Sequence, residues 1–354
     1  MHMADALISP AVGGALWAAT GVVVAYSARK VRNDLDESKI PLMGVAGAFV
    51  FAAQMLNFAI PGTGSSGHLG GALMLAILLG PEAAFLVMAS ILAVQALFFA
   101  DGGLLALGAN IFNLGFFPAF VAYPLIYRRI VGEGPELRTG RVFAGSLLAA
   151  IVGLGLGAFA VVLETTASGI TELPFSTFVL LMQPIHLAIG VVEGLVTGAV
   201  VLFVYRAQPE LLARSAAGKP LGGVRLKPVI VGLGVAALVA GVALSWFAAT
   251  SSDGLEWSIA RATGTEEELQ AKSSAHEAAA DLQRSTAVLP DYGFKQGEAN
   301  AEPAAGDEAP AWPAVDAGTS LSGLVGGAIV AGVVVFMGFV LHRRAAHRRA
   351  KAGA

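Results

Sequence analysis

No cysteine occurs in the 354 residues, which excludes disulfides, thiolate metal sites and thiol catalysis. Charge is nearly as scarce: Asp, Glu, Lys and Arg make up 13% of the chain, about half the share usual in a soluble domain. No Ser-His-Asp set, Walker motif or His-Glu-x-x-His sequence is present, so an intramembrane enzyme finds no catalytic set and the chain has no means of hydrolysing ATP by itself. No internal repeat is evident, and an inverted-repeat secondary transporter is therefore not supported. The start lacks a charged n-region and a small-residue cleavage site; a cleaved signal peptide is not expected, and the terminal amine is expected to persist.

What the chain has is apolar sequence. The hydrophobic fraction is 56% and the mean hydropathy +0.71, values of an integral membrane protein. Runs long enough to span, or nearly span, a bilayer fall at about 11–28, 41–58, 69–80, 81–99, 104–127, 142–163, 176–205, 228–249 and 320–341. The third and fourth meet at Gly80-Pro81, read as a short helix, a turn and a full helix, since proline at a first helical turn removes only an N–H that would be unpaired there. The expectation is an all-α protein of nine transmembrane helices.

Loop charges fit that count. Arg29 to Lys39, Arg128 to Arg141, Arg206 to Lys227 and Arg343 to Lys351 together hold eighteen of the 22 Lys and Arg, all on one side of a nine-span chain. The other four, Arg261, Lys272, Arg284 and Lys295, share one long loop, which crosses largely regardless of charge. The basic side is expected to be cytoplasmic, with the N-terminus outside and the C-terminus cytoplasmic. The organisation reads as a seven-helix core over 1–206, a cytoplasmic linker over 207–227, a two-helix appendage over 228–341 enclosing an extracytoplasmic loop 250–319, and a basic tail over 342–354. Within the loop, 266–284 reads as a short amphipathic helix and 300–317, rich in Ala, Pro, Glu and Asp, as a stretch with little fixed structure. His276 reads as a solvated loop residue; His342 and His347 read as interfacial anchors.

Two short pieces carry possible chemistry. Met1-His2 offers an amine, an amide and an imidazole on adjacent residues, able to wrap one ion in fused chelate rings. His68, in the loop Gly64-Ser65-Ser66-Gly67-His68, lies on the same face of the membrane and supplies a fourth nitrogen; four nitrogens in a plane suit Ni(II) or Cu(II), and can suit Co(II). A lone loop histidine more often binds nothing, so spacing alone leaves this open. Within the spans, Gln54 and Asn57, Asn110 and Asn113, and the helical stripe Gln183, His186, Gly190, Glu193 are polar at membrane depth, which is costly and directs them inward. Interhelical hydrogen bonding accounts for the amides; His186 and Glu193 stand equally as functional candidates.

Several segments, in order, resemble one family. They are Met1-His2-Met3-Ala4-Asp5-Ala6-Leu7-Ile8-Ser9-Pro10, the block from Asn57-Phe58-Ala59-Ile60-Pro61-Gly62 through His68-Leu69-Gly70-Gly71, the block from Gln95 through Asp101-Gly102-Gly103 to Asn110, and His186-Leu187-Ala188-Ile189-Gly190 with Glu193-Gly194. They resemble the CbiM/NikM-type cobalt/nickel substrate-binding permeases of energy-coupling-factor transporters over about 1–206. The remainder resembles the CbiN/NikN-type, or PDGLE, companion, through Asp253-Gly254-Leu255-Glu256-Trp257 and Asp291-Tyr292-Gly293-Phe294, although Ser252 stands where that name puts proline. A second departure is Met3-Ala4-Asp5-Ala6, where the family usually has a Pro-Asp-Gly run. The resemblance implies Co(II) or Ni(II) as transported substrate, held by the Met1 amine, the His2 amide and ring, and His68. Asn57, Ser66, Gln95, Asn110, His186 and Glu193 fall in the same motifs as candidates for supporting the ligands or for coupling. It also implies partners: a CbiQ/NikQ-like transmembrane coupling subunit and CbiO/NikO-like cytoplasmic ATPases, in the lipid of a prokaryotic plasma membrane, with no nucleic acid. The rival expectation is a proton-coupled secondary permease with His186 and Glu193 as a relay.

Overall fold

The computed structural model describes residues 2–34, 36–132, 136–265, 269, 273–295 and 312–352, with side chains for all of these except 34 and 346–352. Helix α1 (Pro10–Asp34) is followed by α2 (Lys39–Gln54), a hairpin of β1 (Phe58–Ile60) and β2 (Ser65–Gly67), α3 (Ala72–Leu79) and α4 (Pro81–Phe99). Then come α5 (Leu107–Val131), α6 (Thr139–Ser168), α7 (Phe175–Ala207), the short α8 (Pro209–Ala216) and α9 (Lys227–Phe247). The chain ends with α10 (Gly254–Thr263), α11 (Ser274–Thr286) and α12 (Ala317–Ala352). Residues 266–268, 270–272 and 296–311, on which part of the expected amphipathic helix and most of the expected unstructured stretch fall, lie outside the described residues.

Among the described residues seven helices are long and apolar enough to cross a bilayer: α1, α4, α5, α6, α7, α9 and α12. Helix α2, at 16 residues, reaches roughly 24 Å, close to the ~30 Å of a hydrocarbon core. The expected nine helices differ at the third. Helix α3 has only 8 residues, roughly 12 Å, and is preceded by the non-helical segment 68–71. Unbroken apolar sequence from Leu69 conceals where extended backbone gives way to helix. Helix α5 departs from regular winding as a π-helix over Phe112–Tyr127, which contains Pro118 and Pro124; their rings and missing N–H groups oppose an α pitch.

Helix α4 is the most enclosed long helix, 67% of its apolar window being buried, whereas α1 is only 17% buried and presents Val22 and Tyr26 outward, as lipid-facing surface does. Helices α6 and α7 pack closely because Gly190, Gly194 and Gly198 form one stripe. A Cβ on Gly190 or Gly194 would come within 2.7 or 2.5 Å of the α6 backbone at Ile151 or Leu147. Helices α9 and α12 both pack on α2, joining the last two long helices to the rest.

Two poles result. One gathers the ends of α2 and α4, the hairpin, residues 2–9 and residues 249–265 and 273–295. Phe98 accepts from the Val288 and Leu289 N–H, Asn57 from the Ala249 N–H at 2.7 Å, and Met3 from the Gly103 N–H at 2.9 Å. The other gathers the α1–α2 turn, α8 and the ends of α3 and α12. There the Gly222 N–H donates to Asp36 at 2.6 Å and His342 lies 3.0 Å from Glu37. The side chain of His347 lies outside the described residues.

Candidate metal centre

At the first pole the rings of His2 and His68 stack, with centroids 4.9 Å apart and planes 8° from parallel. Both side chains are nearly buried, at 8% exposure. The His2 Nδ1 is 3.1 Å from Asp101 Oδ1, while its Nε2 is buried without a hydrogen-bond partner. The His68 Nδ1 lies 3.1 Å from the carbonyl of Leu69; a carbonyl only accepts, so Nδ1 carries the proton and the lone pair sits on Nε2. Burial holds the His68 pKa down, to about 3, so the ring is a neutral donor at ordinary pH. Burial alone would raise the Asp101 carboxyl, yet the His2 ring and the Tyr292 hydroxyl, donating at 2.6 Å, hold it well below the usual carboxylate range.

The stacked rings hold their in-plane lone pairs in two nearly parallel planes, so an ion lying in the plane of both requires one ring to turn. Among the described residues no three His, Asp or Glu side chains form a metal-binding group. Met1, the expected source of the amine, lies outside the described residues.

Each histidine is positioned by the residues beside it. Next to His2, both backbone groups of Met3 are taken by Asn110: the Met3 N–H donates to Oδ1 at 2.8 Å, and Nδ2 donates to the Met3 carbonyl at 3.1 Å. Asp5 accepts from the Ala106 N–H at 2.9 Å. Beyond His68, the N–H groups of Gly70 and Gly71 donate to the two carboxylate oxygens of Glu193 on α7, at 2.6 and 3.2 Å. The Gly70 carbonyl accepts from Gln54 at 2.8 Å, and Gln54 in turn accepts from Gln95 at 2.9 Å. Before His68, the Ser66 N–H and Oγ donate to Ser252 and Ser251 at 2.8 and 2.7 Å. Asn57 contributes its backbone carbonyl; its side chain is half-buried. Glu193 thus grips the loop of His68. His186, buried on the same helix and roughly 10 Å along it, donates from Nδ1 to Met182 at 2.8 Å and has no partner at Nε2.

The segment after α9 roofs this pole. Asp253 caps α10, accepting from the N–H groups of Leu255 and Glu256 while Glu256 reaches back to the Asp253 N–H, a complete capping box. Gly254 is required by contact: a Cβ there would lie 2.3 Å from Ile185 on α7. The Trp257 indole donates to Thr63 in the hairpin turn at 3.0 Å. The Asp-Gly-Leu-Glu-Trp run is therefore a docking helix start, seated on the hairpin that leads to His68. Tyr292 reaches Asp101 through its hydroxyl and stacks on Phe99, with centroids 4.9 Å apart.

His276 corrects the expectation of a solvated residue. It is 5% exposed, its Nδ1 is 2.6 Å from Ser273 Oγ, and its Nε2 donates to the carbonyls of Asp5 and Ile8 at 3.1 and 2.9 Å. His276→Ala strips a buried donor from the N-terminal strap, a loss of ~1–3 kcal/mol. It should lower both the melting temperature and metal retention of the purified protein; a variant equal to wild type in both would disprove the latch. Sequence reading also passed over Glu164, buried at the end of α6 and accepting from Asn113 at 2.8 Å. Its one signal is a carboxylate at the edge of an apolar run. Asp101 and Tyr292 appeared only inside motifs, because their partners come from distant loops.

The profile of the family described as a cobalt uptake substrate-specific transmembrane region matches residues 2–211, and that of the PDGLE domain matches residues 227–343. The putative fused nickel transport protein NikMN of Archaeoglobus fulgidus is 35% identical over 217 residues, covering 61% of this chain and 70% of that protein. The fused nickel transport protein NikMN of Rhodobacter capsulatus is 34% identical over 270 residues, covering 73% and 75%. A crystal structure described as a truncated transition metal transporter is 32% identical, covers 58% of this chain and 99% of its own, and superposes with a TM-score of 0.51.

Proposed function

Because the chain belongs to the cobalt uptake substrate-specific transmembrane (CbiM) family and carries a PDGLE domain behind it, we propose that it captures Co(II) or Ni(II) as the membrane component of an ATP-driven importer. It is a multi-pass membrane transport component and not an enzyme. The carrying observation is the meeting of His2 and His68, far apart in sequence, as a buried ring pair at one pole. The donors in this reading are the Met1 amine, the His2 amide and ring, and the His68 Nε2. Asn110, Gln54, Gln95, Ser66 and Glu193 hold the two strands that bear them, and Asn57 fastens the hairpin. Residues 1–206 form the capturing core, 207–227 the linker and 228–341 the cover, which keeps the N-terminal strap in place.

The chain is read as crossing the plasma membrane of a prokaryote nine times, the third crossing made by residues 69–71 with α3. The histidine pole faces outward and the basic pole inward, as the confinement of eighteen Lys and Arg to the second pole and its tail supports. A reporter fused after Ala354 should read cytoplasmic and one inserted near Gly306 external; an external C-terminus would overturn this topology.

ATP hydrolysis falls to separate cytoplasmic subunits, joined through a transmembrane coupling subunit. The rival, a proton-coupled permease, needs His186 and Glu193 to pass a proton; they sit roughly 10 Å apart and bond to different backbone groups. Uptake of radiolabelled Co(II) or Ni(II) by cells expressing the chain with and without its coupling and ATPase subunits separates the two. Uptake that needs those subunits, and survives collapse of the proton gradient while ATP is maintained, is expected. Uptake that follows the gradient without them would overturn the proposal.

A further inference from the structure

At the pole opposite the histidine pair, an open cleft of about 410 Å³ separates α1 from α12. Ala25, Ala28, Arg29 and Arg32 line it from α1, and Leu341 and Arg344 from α12. The α1 residues stand at helical spacings of three, four and seven, so they form one face. Alanine at the first two positions leaves room between the helices. Among the described residues, three guanidinium groups then border a space whose lining contains no carboxylate. The nearby Glu37 carboxylate is engaged by His342 at 3.0 Å, and Asp36 accepts from Ser38 and the Gly222 N–H. The Arg32 Nε is buried without a hydrogen-bond partner. Like charges gathered at one cleft, with a buried donor unsatisfied, are complementary to an anion with several acceptor oxygens. The planar fork of arginine fits phosphate in particular.

The surroundings decide what bears the phosphate. One turn above the arginines, α1 presents Tyr26 at 55% exposure and, a further turn up, Val22 at 70%, on the face that continues the cleft. A ligand in this position has its head among guanidinium groups at the end of the membrane helices and apolar surface running away from it. We propose that the α1–α12 cleft binds the phosphate head of an anionic phospholipid, with an acyl chain along Val22 and Tyr26. Basic pockets between membrane helices on the cytoplasmic side recognise such heads. Helix α1 belongs to the capturing core and α12 to the PDGLE region, so the lipid bridges the two halves of the fused chain. This site is independent of the metal reading, which concerns the other pole.

The test is native mass spectrometry of the full chain, released from mild detergent after incubation with phosphatidylglycerol or with phosphatidylcholine. The wild type should retain phosphatidylglycerol roughly tenfold more than phosphatidylcholine. The combined variant Arg29→Gln, Arg32→Gln and Arg344→Gln should lose that preference, and the corresponding Arg→Lys variant should keep part of it. Millimolar inorganic phosphate should not displace the lipid. Equal retention of the two lipids by the wild type, a measurement that needs no variant, would overturn the proposal. So would displacement by inorganic phosphate, which would assign the cleft to a soluble phosphate.

Discussion

A single residue placed before Met1 should abolish retention of Co(II) or Ni(II) by the purified protein, even though His2 and His68 remain. In the proposed site the amine and the His2 amide close one chelate ring, and the amide and the His2 Nδ1 close a second that shares the amide nitrogen, the ring turning Nδ1 from Asp101 to the ion. Extension converts the amine into a peptide nitrogen and carries the new amine out of reach, so the fused rings lose their first member. Space is a second obstacle, because the strap beside the donors is enclosed: Met3, Leu7 and Ile8 are fully or nearly fully buried, and His276 and Asn110 hold its backbone. His68→Ala removes one donor and leaves the N-terminal chelate intact, so a strong but incomplete loss is expected. His342→Ala, at the opposite pole, should leave metal retention unchanged. The measurement is metal content per protein after gel filtration in detergent. An extended protein that keeps its metal would show that the terminal amine is not a ligand and would remove the central claim.

The long helices were legible because a bilayer demands some 20 apolar residues in succession, and such runs stand out. The docking motif Asp253 to Trp257 was legible as a family mark, and its capping box gives the physical reason for the Asp and Glu spacing. The hairpin was not legible: strands of three residues, Phe58–Ile60 and Ser65–Gly67, are too short to show a period of two. Nor could sequence locate the start of α3, since extended and helical backbone are equally apolar there. His276 was misread for a related reason. It lies in polar sequence, and burial of a polar helix depends on which surface it meets, here the N-terminal strap. The same holds for Glu193, whose membrane depth was plain but whose partners, two backbone amides some 120 positions away, were not.

Those two amides give Glu193 an effect on the metal site that a coupling residue would not have. Glu193→Ala would leave the buried Gly70 and Gly71 N–H groups without an acceptor, each a penalty of ~1–3 kcal/mol. The loop can recover partners only by moving, and His68 is two residues upstream of Gly70. A loss of metal affinity of about 10–100-fold is expected, the range found when a group that orients a ligand is removed. Glu193→Gln should fall between: its carbonyl oxygen can accept one N–H, but its amide nitrogen faces the other as a second donor. Glu193→Asp keeps both oxygens on a side chain one methylene shorter and should retain more metal than the alanine variant. Metal titration and melting temperature, measured together, separate a displaced loop from a collapsed fold. If both Gln and Ala variants bind metal as the wild type does while uptake is lost, Glu193 acts in coupling and its hold on the His68 loop is incidental. If affinity falls in the order Glu, Asp, Gln, Ala with melting temperature little changed, the carboxylate is what sets the position of His68.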